Sequence, residues 1–336
     1  MFAMPQFVMP AARWLTPGRP PQVALFERVA HGRRELIGVG CFTHERANLF
    51  VPMAHLRAYR CEHTYRTGLL CVPGEEQAVA EALMRPPTRG ARWRAIAFHD
   101  IGDAAAFDAL HAQARRQGGG WSELRRFERP VLRLRAGQSA AMQVRPAVAK
   151  DLRRRHRRLQ EQGELEVAIV TAADGIDAAI DHHLRLEHMG WKKDAGTSLL
   201  GDDRQAAFFR EMARAFAGIG AAAFVELRLD GEVVASTSNF VVGGTFSAFK
   251  TGWDPRLAAC SPGKLAEWLL FGVLGSRWPG LHKFDSNAAA GSYLAGMLPH
   301  GDTLLSGCLT LDRRATRTMR WARPLRSLAY RIGREP

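Results

Sequence analysis

One segment, residues 245–286, constrains the fold more than any other part of the chain. Thr245–Trp253 has the pattern of a β-strand, Ser261-Pro262-Gly263-Lys264 opens an amphipathic helix, and a second short strand ends at Asp285. The first N–H groups of a helix have no acceptor within the helix, and that end of the helix carries partial positive charge. Together with a lysine, these groups suit a phosphate. The alternative is an ordinary capped helix with a solvated lysine.

The individual residues of this helix start have separate roles. Ser261 is a good N-cap, and Pro262 loses no hydrogen bond at the first helical position. Gly263 removes a side chain where a ligand would approach closely. The residues at helical spacing that follow predict one face packed on a sheet: Leu265, Trp268, Leu269, Gly272 and Val273.

The length and charge of the chain limit the class of protein. With 336 residues it exceeds one typical core, so two domains or two fused halves are expected. The 46% of hydrophobic residues and the eight tryptophans supply ample material for packing, which excludes a disordered chain. The formal net charge of +14 predicts an acidic partner. The alternatives are a phosphorylated cofactor, nucleic acid, an anionic lipid or an acidic polysaccharide.

The cysteines and the N-terminus bear on location. The five cysteines are odd in number and form no C-x-x-C pair, which favours a reducing compartment and argues against a zinc site. Residues 1–15 are interrupted by Pro5 and Pro10 and lack a basic start, so no signal peptide is predicted. No apolar run reaches membrane-spanning length. The expected location is the cytoplasm.

The second half of the chain shows an ordered series of elements, β-α-α-β-β-β-α-β-α-β. An arginine-rich helix, Asp151–Gln162, precedes the series. Its predicted members are Leu165–Val170, helix Gly175–Met189, helix Arg204–Ala217, Ala222–Leu229, Glu232–Val242, Thr245–Trp253, the Ser261 helix, Leu281–Asp285, helix Ala288–Gly296 and Gly307–Leu311. Asp230-Gly231 and Gly243-Gly244 mark the turns of the strand meander.

This order, with the phosphate-ready helix after the fourth strand, resembles the acyl-CoA N-acyltransferase (GNAT) fold over residues 150–312. The resemblance implies that Thr245–Trp253 and Leu281–Asp285 splay apart, so that pantetheine lies between them and its pyrophosphate lies on the following helix N-terminus. The chain departs from the Q/R-x-x-G-x-G/A pyrophosphate loop of ordinary GNAT proteins. The implied co-substrate is acyl-CoA, acetyl-CoA in the first instance, bound by Cys260, Ser261, Pro262, Gly263, Lys264 and Leu265.

A wider set of residues resembles the CelD-type acyltransferases associated with bacterial cellulose and exopolysaccharide synthesis, which are tandem GNAT-like chains related to the Fem aminoacyltransferases. The set consists of Leu186–Lys192, Gly196, Phe208-Phe209, Asp254, Ser261-Pro262-Gly263 and Asp285. The implied fold class is α/β (α+β). It comprises tandem GNAT-like domains, each a mixed, mostly antiparallel sheet flanked by helices.

The first half supports the tandem interpretation, because it repeats the later part of the same series. Its predicted elements are Val23–Val29, Glu35–Phe42, Leu69–Cys71, helix Glu75–Met84, Arg94–His99, helix Ala104–Gln117 and Pro130–Leu134. Glu75 and Glu76 would repel an anion at the equivalent helix start, so only the second copy is expected to bind CoA. The predicted domains are 1–140, a degenerate GNAT-like domain, 141–312, the acyl-CoA-binding domain, and 313–336, a basic tail.

Acyl transfer needs a group that accepts the proton of the nucleophile and a group that stabilises the leaving thiolate. Asp285, at the end of the fifth strand, is the first candidate for a base or substrate-orienting group, although Asp-Ser-Asn also caps a turn well. Tyr293 resembles the GNAT tyrosine that protonates the thiolate, although its spacing from Asn287 is one residue short. A structural tyrosine is the alternative. The predicted catalytic residues are Asp285, Tyr293 and Glu187.

The acceptor side is predicted around the end of the first helix, which borders the acceptor pocket in GNAT proteins. Trp191 forms a wall or sugar platform there, or else caps the core. Lys250, with Phe249 and Thr251 on the opposite face of its strand, meets an anionic acceptor or cofactor, or else lies on the solvent face. Three histidines, at 182, 183 and 188, lack zinc spacing and are interpreted as surface residues. The predicted substrate residues are Trp191, Lys192, Lys250 and Asp254, and no metal site is predicted.

Two basic segments leave the partner open. Residues 153–158 carry five arginines that surround a helix too completely to form one stripe, which favours a solvated helix, with phosphate, tRNA or acidic glycan as alternatives. Residues 313–331 mix arginines with Trp321 and Tyr330, and suit a peripheral membrane or a polysaccharide-synthesis complex, or else pack on their own domain. The predicted function is transfer of an acyl group, acetyl in the first instance, from acyl-CoA to an amine or hydroxyl of a small molecule or saccharide. Fem-like aminoacyl transfer from tRNA and a non-catalytic scaffold are the alternatives.

Overall fold

The computed structural model describes residues 1–85, 93–102, 104–135, 139–171, 175–189 and 191–324, with the side chains of all but residues 104, 191 and 192. The helices are α1 (Pro5–Trp14), α2 (Glu76–Met84), α3 (Ala104–Arg116), α4 (Pro146–Gln160), α5 (Ile176–Met189), α6 (Trp191–Asp194), α7 (Asp203–Ala217), α8 (Pro262–Arg277), α9 (Tyr293–Met297) and α10 (Arg313–Trp321). The strands are β1 (Gln22–Ala30), β2 (Arg33–Glu45), β3 (His55–Ala58), β4 (Leu70–Cys71), β5 (Ala95–Ile101), β6 (Gly120–Arg133), β7 (Leu165–Val170), β8 (Ala222–Leu229), β9 (Glu232–Val242), β10 (Thr245–Trp253), β11 (Lys283–Asp285) and β12 (His300–Thr310).

These elements form two compact units, each discontinuous in sequence. The larger unit contains Met1, Gln6–Leu15 and Glu128–Asp302, and the smaller unit contains Phe2–Pro5, Thr16–Phe127 and the described residues from Thr303 onward. The bounds differ from a division at residues 140 and 312, because β12 pairs antiparallel with β5 from Leu305 to Thr310 and so belongs with the first half. Both units combine sheet with helices, which confirms the predicted mixed α/β fold class.

The sheet of the larger unit has the strand order β6-β11-β10-β9-β8-β7. The pair β10–β11 is parallel and the other pairs are antiparallel, as a mixed, mostly antiparallel sheet requires. The predicted bounds of β7, β8, β9 and β10 agree with the structure. The β8–β9 turn takes the left-handed conformation at Asp230 and Gly231, which is where the sequence places its turn signal.

Helices cover both faces of this sheet, and the alternation of side chains along β8 explains why. Ala223, Val225 and Leu227 lie in the core formed with α4 and α8. Phe224, between them in sequence, contacts His183 of α5 on the opposite face. Phe208, Phe209, Met212 and Phe216 of α7 are fully buried on that second face, as their 3–4 spacing predicts.

The smaller unit has the strand order β1-β2-β3-β5-β12, with β4 paired to β2. Its core gathers apolar side chains of α2, α3 and these strands. The predicted helix Glu75–Met84 begins one residue later, and Glu75 forms an ion pair with Arg28. The carboxylate at this helix start therefore has a protein partner.

The N-terminus differs from the expectation of an interrupted segment, because Pro5–Trp14 is a helix with Pro10 inside it. Pro5 occupies the first helical position, where it costs nothing. Phe7 is fully buried, with its ring centroid 5.6 Å from that of Phe208. This packing stabilises the helix despite the hydrogen bond lost at Pro10. Because Phe208 lies far from Phe7 in sequence, no local sequence pattern indicates the contact.

Several other bounds also differ from the predictions. The strand predicted at Pro130–Leu134 is the end of the longer β6, the helix predicted at Ala288–Gly296 begins only at Tyr293, and β12 begins at His300 rather than Gly307. The basic tail starts with α10, capped by Asp312, and Trp321 at its end is 86% exposed. Tyr330, the other aromatic residue named in the predicted tail, lies outside the described residues. Within residues 1–324, as far as they are described, no helix has the length and apolar character to span a membrane.

Candidate active site

Strands β10 and β11 separate after Asp285, the last residue of β11. They pair at three positions, the last of which joins Ser247 and Asp285. Asn287 then turns the chain away with a φ of 48°, while its side-chain amide donates to Ala248 O at 2.7 Å. Beyond Ala248, β10 continues to Trp253 with no partner in β11. The opening expected between these strands therefore begins at Ala248.

A β-bulge lies at the start of this opening. The register of the β10–β9 pairing shifts between Ala248 and Lys250, so one extra residue is inserted into β10. Phe249 stacks on Phe209 of α7, and Lys250 reaches Glu187 of α5, which packs on the same face of the sheet. The predicted alternation, with Phe249 and Lys250 on opposite faces, is wrong because the bulge moves the side chains by one position.

Glu187 and Lys250, predicted separately from the sequence, form a buried ion pair. The Lys250 Nζ lies 3.7 Å from Glu187 Oε1, and the two side chains are 12% and 0% exposed. Glu187 Oε2 accepts a hydrogen bond of 2.8 Å from the backbone N–H of Leu199. Lys250 is thus not on the solvent face. The pair ties α5 and the segment after α6 to β10, next to the opening.

The helix start after β10 lacks the predicted serine cap. Ser261 is the N-cap residue of α8 but has a φ of 50° and makes no side-chain capping hydrogen bond. Its hydroxyl instead accepts a hydrogen bond of 3.1 Å from Arg155 Nη1 of α4, which also donates to Ala259 O at 2.7 Å. Within the described part of the chain, the N–H groups of Gly263 and Lys264 have no protein acceptor. The first turn of α8 therefore keeps two donors for a ligand.

Gly263 is required for packing rather than for the approach of a ligand. A Cβ at this position would lie 3.0 Å from Thr251 Cγ2 and 3.0 Å from Trp253 Cδ1, so the glycine lets α8 lie close to β10. Cys260 is 1% exposed and Leu265 is fully buried, and Cys260 Sγ accepts a hydrogen bond of 3.5 Å from Gln162. Of the six predicted cofactor-binding residues, Lys264 is exposed and Ser261 half-buried, while the other four are buried.

Lys264 and Tyr293 meet at a carboxylate that the sequence analysis missed. The Lys264 Nζ lies 5.2 Å from the centre of the Tyr293 ring. Glu267, one turn along α8, is 2% exposed and accepts a hydrogen bond of 3.1 Å from Thr251 Oγ1 of β10. Tyr293 lies near the same carboxyl, and its hydroxyl acts to lower the pKa of Glu267. We call Thr251, Lys264, Glu267 and Tyr293 the α8 cluster.

Burial controls proton binding in this cluster. It raises the pKa of Glu267 to about 7, and the nearby hydroxyls of Tyr293 and Thr251 and the charge of Lys264 offset this rise only in part. Tyr293 is 41% exposed, but loss of water around its hydroxyl and the nearby Glu267 carboxylate raise its pKa well above the ordinary value, so Tyr293 stays protonated. At neutral pH the cluster thus holds a tyrosine hydroxyl next to a carboxyl that is about half protonated.

One sequence signal could have identified Glu267. It shares the buried face of α8 with Leu270, Phe271 and Leu274, at helical spacing, and a carboxylate on an apolar face needs a partner or an altered pKa. The predicted face instead included Val273, which is 36% exposed. Because the predicted face did not include position 267, the buried carboxylate of Glu267 was not recognised.

Asp285 and Asp254 both make the capping contacts that their local sequences suggest. Asp285 is 3% exposed and its Oδ1 accepts a hydrogen bond of 3.1 Å from the backbone N–H of Asn287. Asp254 caps the 3₁₀ turn Pro255–Cys260 and binds the Arg256 guanidinium, with Nε–Oδ2 at 2.9 Å. The hydrogen bonds from Arg256 hold the pKa of Asp254 below its usual value. Asp285 lies at the mouth of the opening, whereas Asp254 is tied to a surface arginine.

The remaining predicted residues are placed as follows. Trp191 and Lys192 begin the short helix α6, and their side chains lie outside the described residues. His183 is fully buried between Ser236 and Ser238, so its interpretation as a surface residue is wrong. In the part of the chain that the structure describes, no cluster of histidine, cysteine and acidic side chains could hold a metal ion, and none of the five cysteines forms a disulfide.

Comparisons with known proteins agree with this geometry. Residues 146–293 match the family model described as an acetyltransferase (GNAT) domain. This match contains α8, both strands of the opening, and Glu187, Lys250, Glu267 and Tyr293. No curated protein matches the sequence significantly.

Solved structures share the fold at low sequence identity. A crystal structure of FemX has a TM-score of 0.58 and 9% identity, over 95% of this chain and 94% of that chain. The C-terminal (DUF2156) domain of a protein named as a lysylphosphatidylglycerol synthetase, from Agrobacterium fabrum, has a TM-score of 0.52 and 15% identity, over 91% and 89%. A conserved protein of unknown function from Bacteroides thetaiotaomicron has a TM-score of 0.52 and 11% identity, over 91% of both chains. Residues 146–293 thus match a GNAT acetyltransferase domain and contain the opening beside β10 and the start of α8, and this match supports an acyltransferase.

Proposed function

We propose that this acyltransferase takes its acyl group from acyl-CoA, acetyl-CoA in the first instance, and transfers it to an amine or hydroxyl. The observation that carries the proposal is the pairing of two features within one segment. Strands β10 and β11 separate after Ser247, and α8 starts after β10 with uncapped N–H groups and the exposed Lys264. A thioester arm fits the opening, and a pyrophosphate fits the helix start.

The residues around the opening have separate roles in the proposed reaction. The acceptor nitrogen or oxygen attacks the thioester carbonyl carbon, the carbon–sulfur bond breaks, and the acceptor proton passes to Asp285 or a water beside it. Tyr293 gives its proton to the leaving thiolate. Glu267, about half protonated at neutral pH, then returns a proton to Tyr293. Cys260 is buried, which disfavours a covalent route through its thiol.

The residues on the other side of the opening are the basis for the proposed class of acceptor. Glu187 and Lys250 form a buried charged pair at the end of α5, and Trp191 and Lys192 follow in the chain. Together with the resemblance to CelD-type acyltransferases, this favours a saccharide acceptor in exopolysaccharide or cellulose synthesis. An aromatic side chain next to polar groups is a common platform for a sugar ring.

Aminoacyl transfer from charged tRNA is the second candidate, and the observation that favours it is the arginine content of α4. The fold shared with FemX is compatible with it. The two candidates differ in the donor. Binding of tRNA that weakens steeply with salt, in the absence of acyl-CoA binding, would favour the second candidate.

The Lys264→Glu variant tests the proposed donor site. Calorimetric titration with acetyl-CoA should show affinity for the unmodified protein and affinity weaker by about tenfold or more for the variant, because a charge-assisted contact becomes a repulsion. Arg277→Glu is the matched control, since it makes the same charge change at the opposite, exposed end of α8 and should leave the affinity unchanged. Equal affinities for the two variants, or no binding by the unmodified protein, would contradict the proposal.

A further inference from the structure

A second basic feature lies beside the start of α8. A cavity of about 420 Å³ is open at the surface of the larger unit. Its lining consists of Arg154, Arg155, Arg157, Arg158, Glu161 and Ala259. We call it the arginine cavity. Four of the five arginines of α4, which the sequence analysis interprets as the charged surface of a solvated helix, line this one cavity.

The arginine cavity is held in place by contacts between α4 and the segment that leads into α8. Arg155 donates to Ala259 O at 2.7 Å and to Ser261 Oγ at 3.1 Å. The His156 ring of α4 lies 6.2 Å from the Trp268 ring of α8. The walls of the cavity are therefore fixed before a ligand arrives, which lowers the entropy cost of binding.

Some of the arginines that line the cavity have an acidic partner, and others do not. Asp151 accepts hydrogen bonds from Arg154 Nη2 at 2.5 Å and from Arg155 Nε at 2.6 Å. Arg157 and Arg158 are exposed, and within the described part of the chain neither forms an ion pair. Glu161 is the only acidic side chain of the lining. Two guanidinium groups thus line a concave surface without an ion pair to a described acidic side chain, an arrangement that suits a phosphate monoester dianion.

The position of the cavity points to the source of that phosphate. Ala259 in its wall lies three residues before Pro262, so cavity and helix start are at most about 11 Å apart along the chain. A nucleotide with a pyrophosphate at the 5′ oxygen of its ribose and a phosphate at the 3′ oxygen spans such a distance. Coenzyme A carries both groups, whereas dephospho-CoA lacks only the 3′-phosphate.

We propose that the arginine cavity binds the 3′-phosphate of CoA through Arg157 and Arg158 and so selects CoA over dephospho-CoA. This inference rests on the proposed function, because it takes the pyrophosphate to lie on the start of α8. It assigns ligand binding to α4, an element that precedes the strands and helix of the thioester opening. The effect is on donor recognition, so the chemical step with bound donor is unaffected.

Titration of CoA and dephospho-CoA at fixed salt tests the inference. The unmodified protein should bind CoA about tenfold or more tightly than dephospho-CoA, in keeping with one or two charge-assisted contacts to phosphate. The double variant Arg157→Ala/Arg158→Ala should lose this ratio by weakening CoA alone. Alanine is at least as good a helix former as arginine, so the variant should fold. Glu161→Gln should strengthen CoA binding.

Arg153→Ala supplies the matched control, because Arg153 is exposed on the same helix but does not line the cavity, and it should keep the ratio. Equal affinity of the unmodified protein for the two ligands would overturn this inference and leave the proposed function intact. Binding of neither ligand would overturn both. If the double variant loses salt-sensitive tRNA binding while its CoA ratio is unchanged, the cavity serves nucleic acid and the inference is wrong.

Discussion

Glu267→Gln should raise the free energy of unfolding at pH 8 by roughly 3 kcal/mol and leave it nearly unchanged at pH 4.5. The pKa of Glu267 is about 7 in the folded chain, against an ordinary value of 4.5. Between these two values the folded chain holds a proton that the unfolded chain has released. Stability therefore falls as pH rises from about 4.5 to 7 and then levels off. A shift of this size corresponds to roughly 3 kcal/mol. Glutamine has the shape of the protonated acid and carries no charge to bury.

Urea unfolding curves at several pH values between 4.5 and 8.5 measure this effect. The difference between variant and unmodified protein should grow across the window set by the two pKa values. Glu166→Gln, which removes a carboxylate at an exposed position of β7, is the control and should show no such growth. A Glu267→Gln variant that is destabilised equally at every pH would mean that the carboxylate is ionised and well paired in the fold.

The same variant separates a structural role of Glu267 from a role in proton transfer. A group that is buried at a cost in stability and next to Tyr293 is typical of functional sites, where stability is lost for activity. If Glu267 returns the proton to Tyr293, the variant is more stable at pH 8 and turns over acyl groups more slowly. If the residue only packs, the variant is more stable and equally active.

The parts of the fold that could be predicted from the sequence are those with local causes. Alternating apolar side chains and glycine-containing turns define β8, β9 and β10, and their predicted bounds agree with the structure. The break between β10 and α8 is equally local, because Ser261 and Pro262 end one element and begin the next.

The parts that could not be predicted depend on partners far away in sequence. Arg155, more than a hundred residues before Ser261, occupies the hydroxyl that was expected to cap α8. The bulge at Phe249 changes the face of one side chain, and an alternation pattern cannot show a single inserted residue. Glu187 was predicted beside an acceptor and Lys250 beside an anion. That they pair with each other follows from the crossing of α5 over β10, which sequence spacing does not encode.

Gly252→Ala should destabilise the protein by about 1–3 kcal/mol and weaken the Glu187–Lys250 pair, because α5 crosses β10 at this glycine. An alanine Cβ there would lie 2.8 Å from Leu186 C and 2.9 Å from Glu187 Cα, and closer still to Glu187 N. All three atoms belong to the backbone of α5, which cannot turn aside as a side chain can. The helix must move away from the strand, and overpacking of this kind costs about that much.

Gly272→Ala is the matched control with the opposite expected sign. Gly272 lies on the exposed side of α8, and a Cβ there meets no atom within 4 Å. Alanine in a helix interior is more favourable than glycine by about 0.5–1 kcal/mol, so this variant should be more stable. Thermal unfolding of the two variants beside the unmodified protein measures both effects. Unfolding midpoints that rise for both variants would show that α5 does not lie against Gly252. That result would also contradict the buried pairing of Glu187 and Lys250 beside the opening.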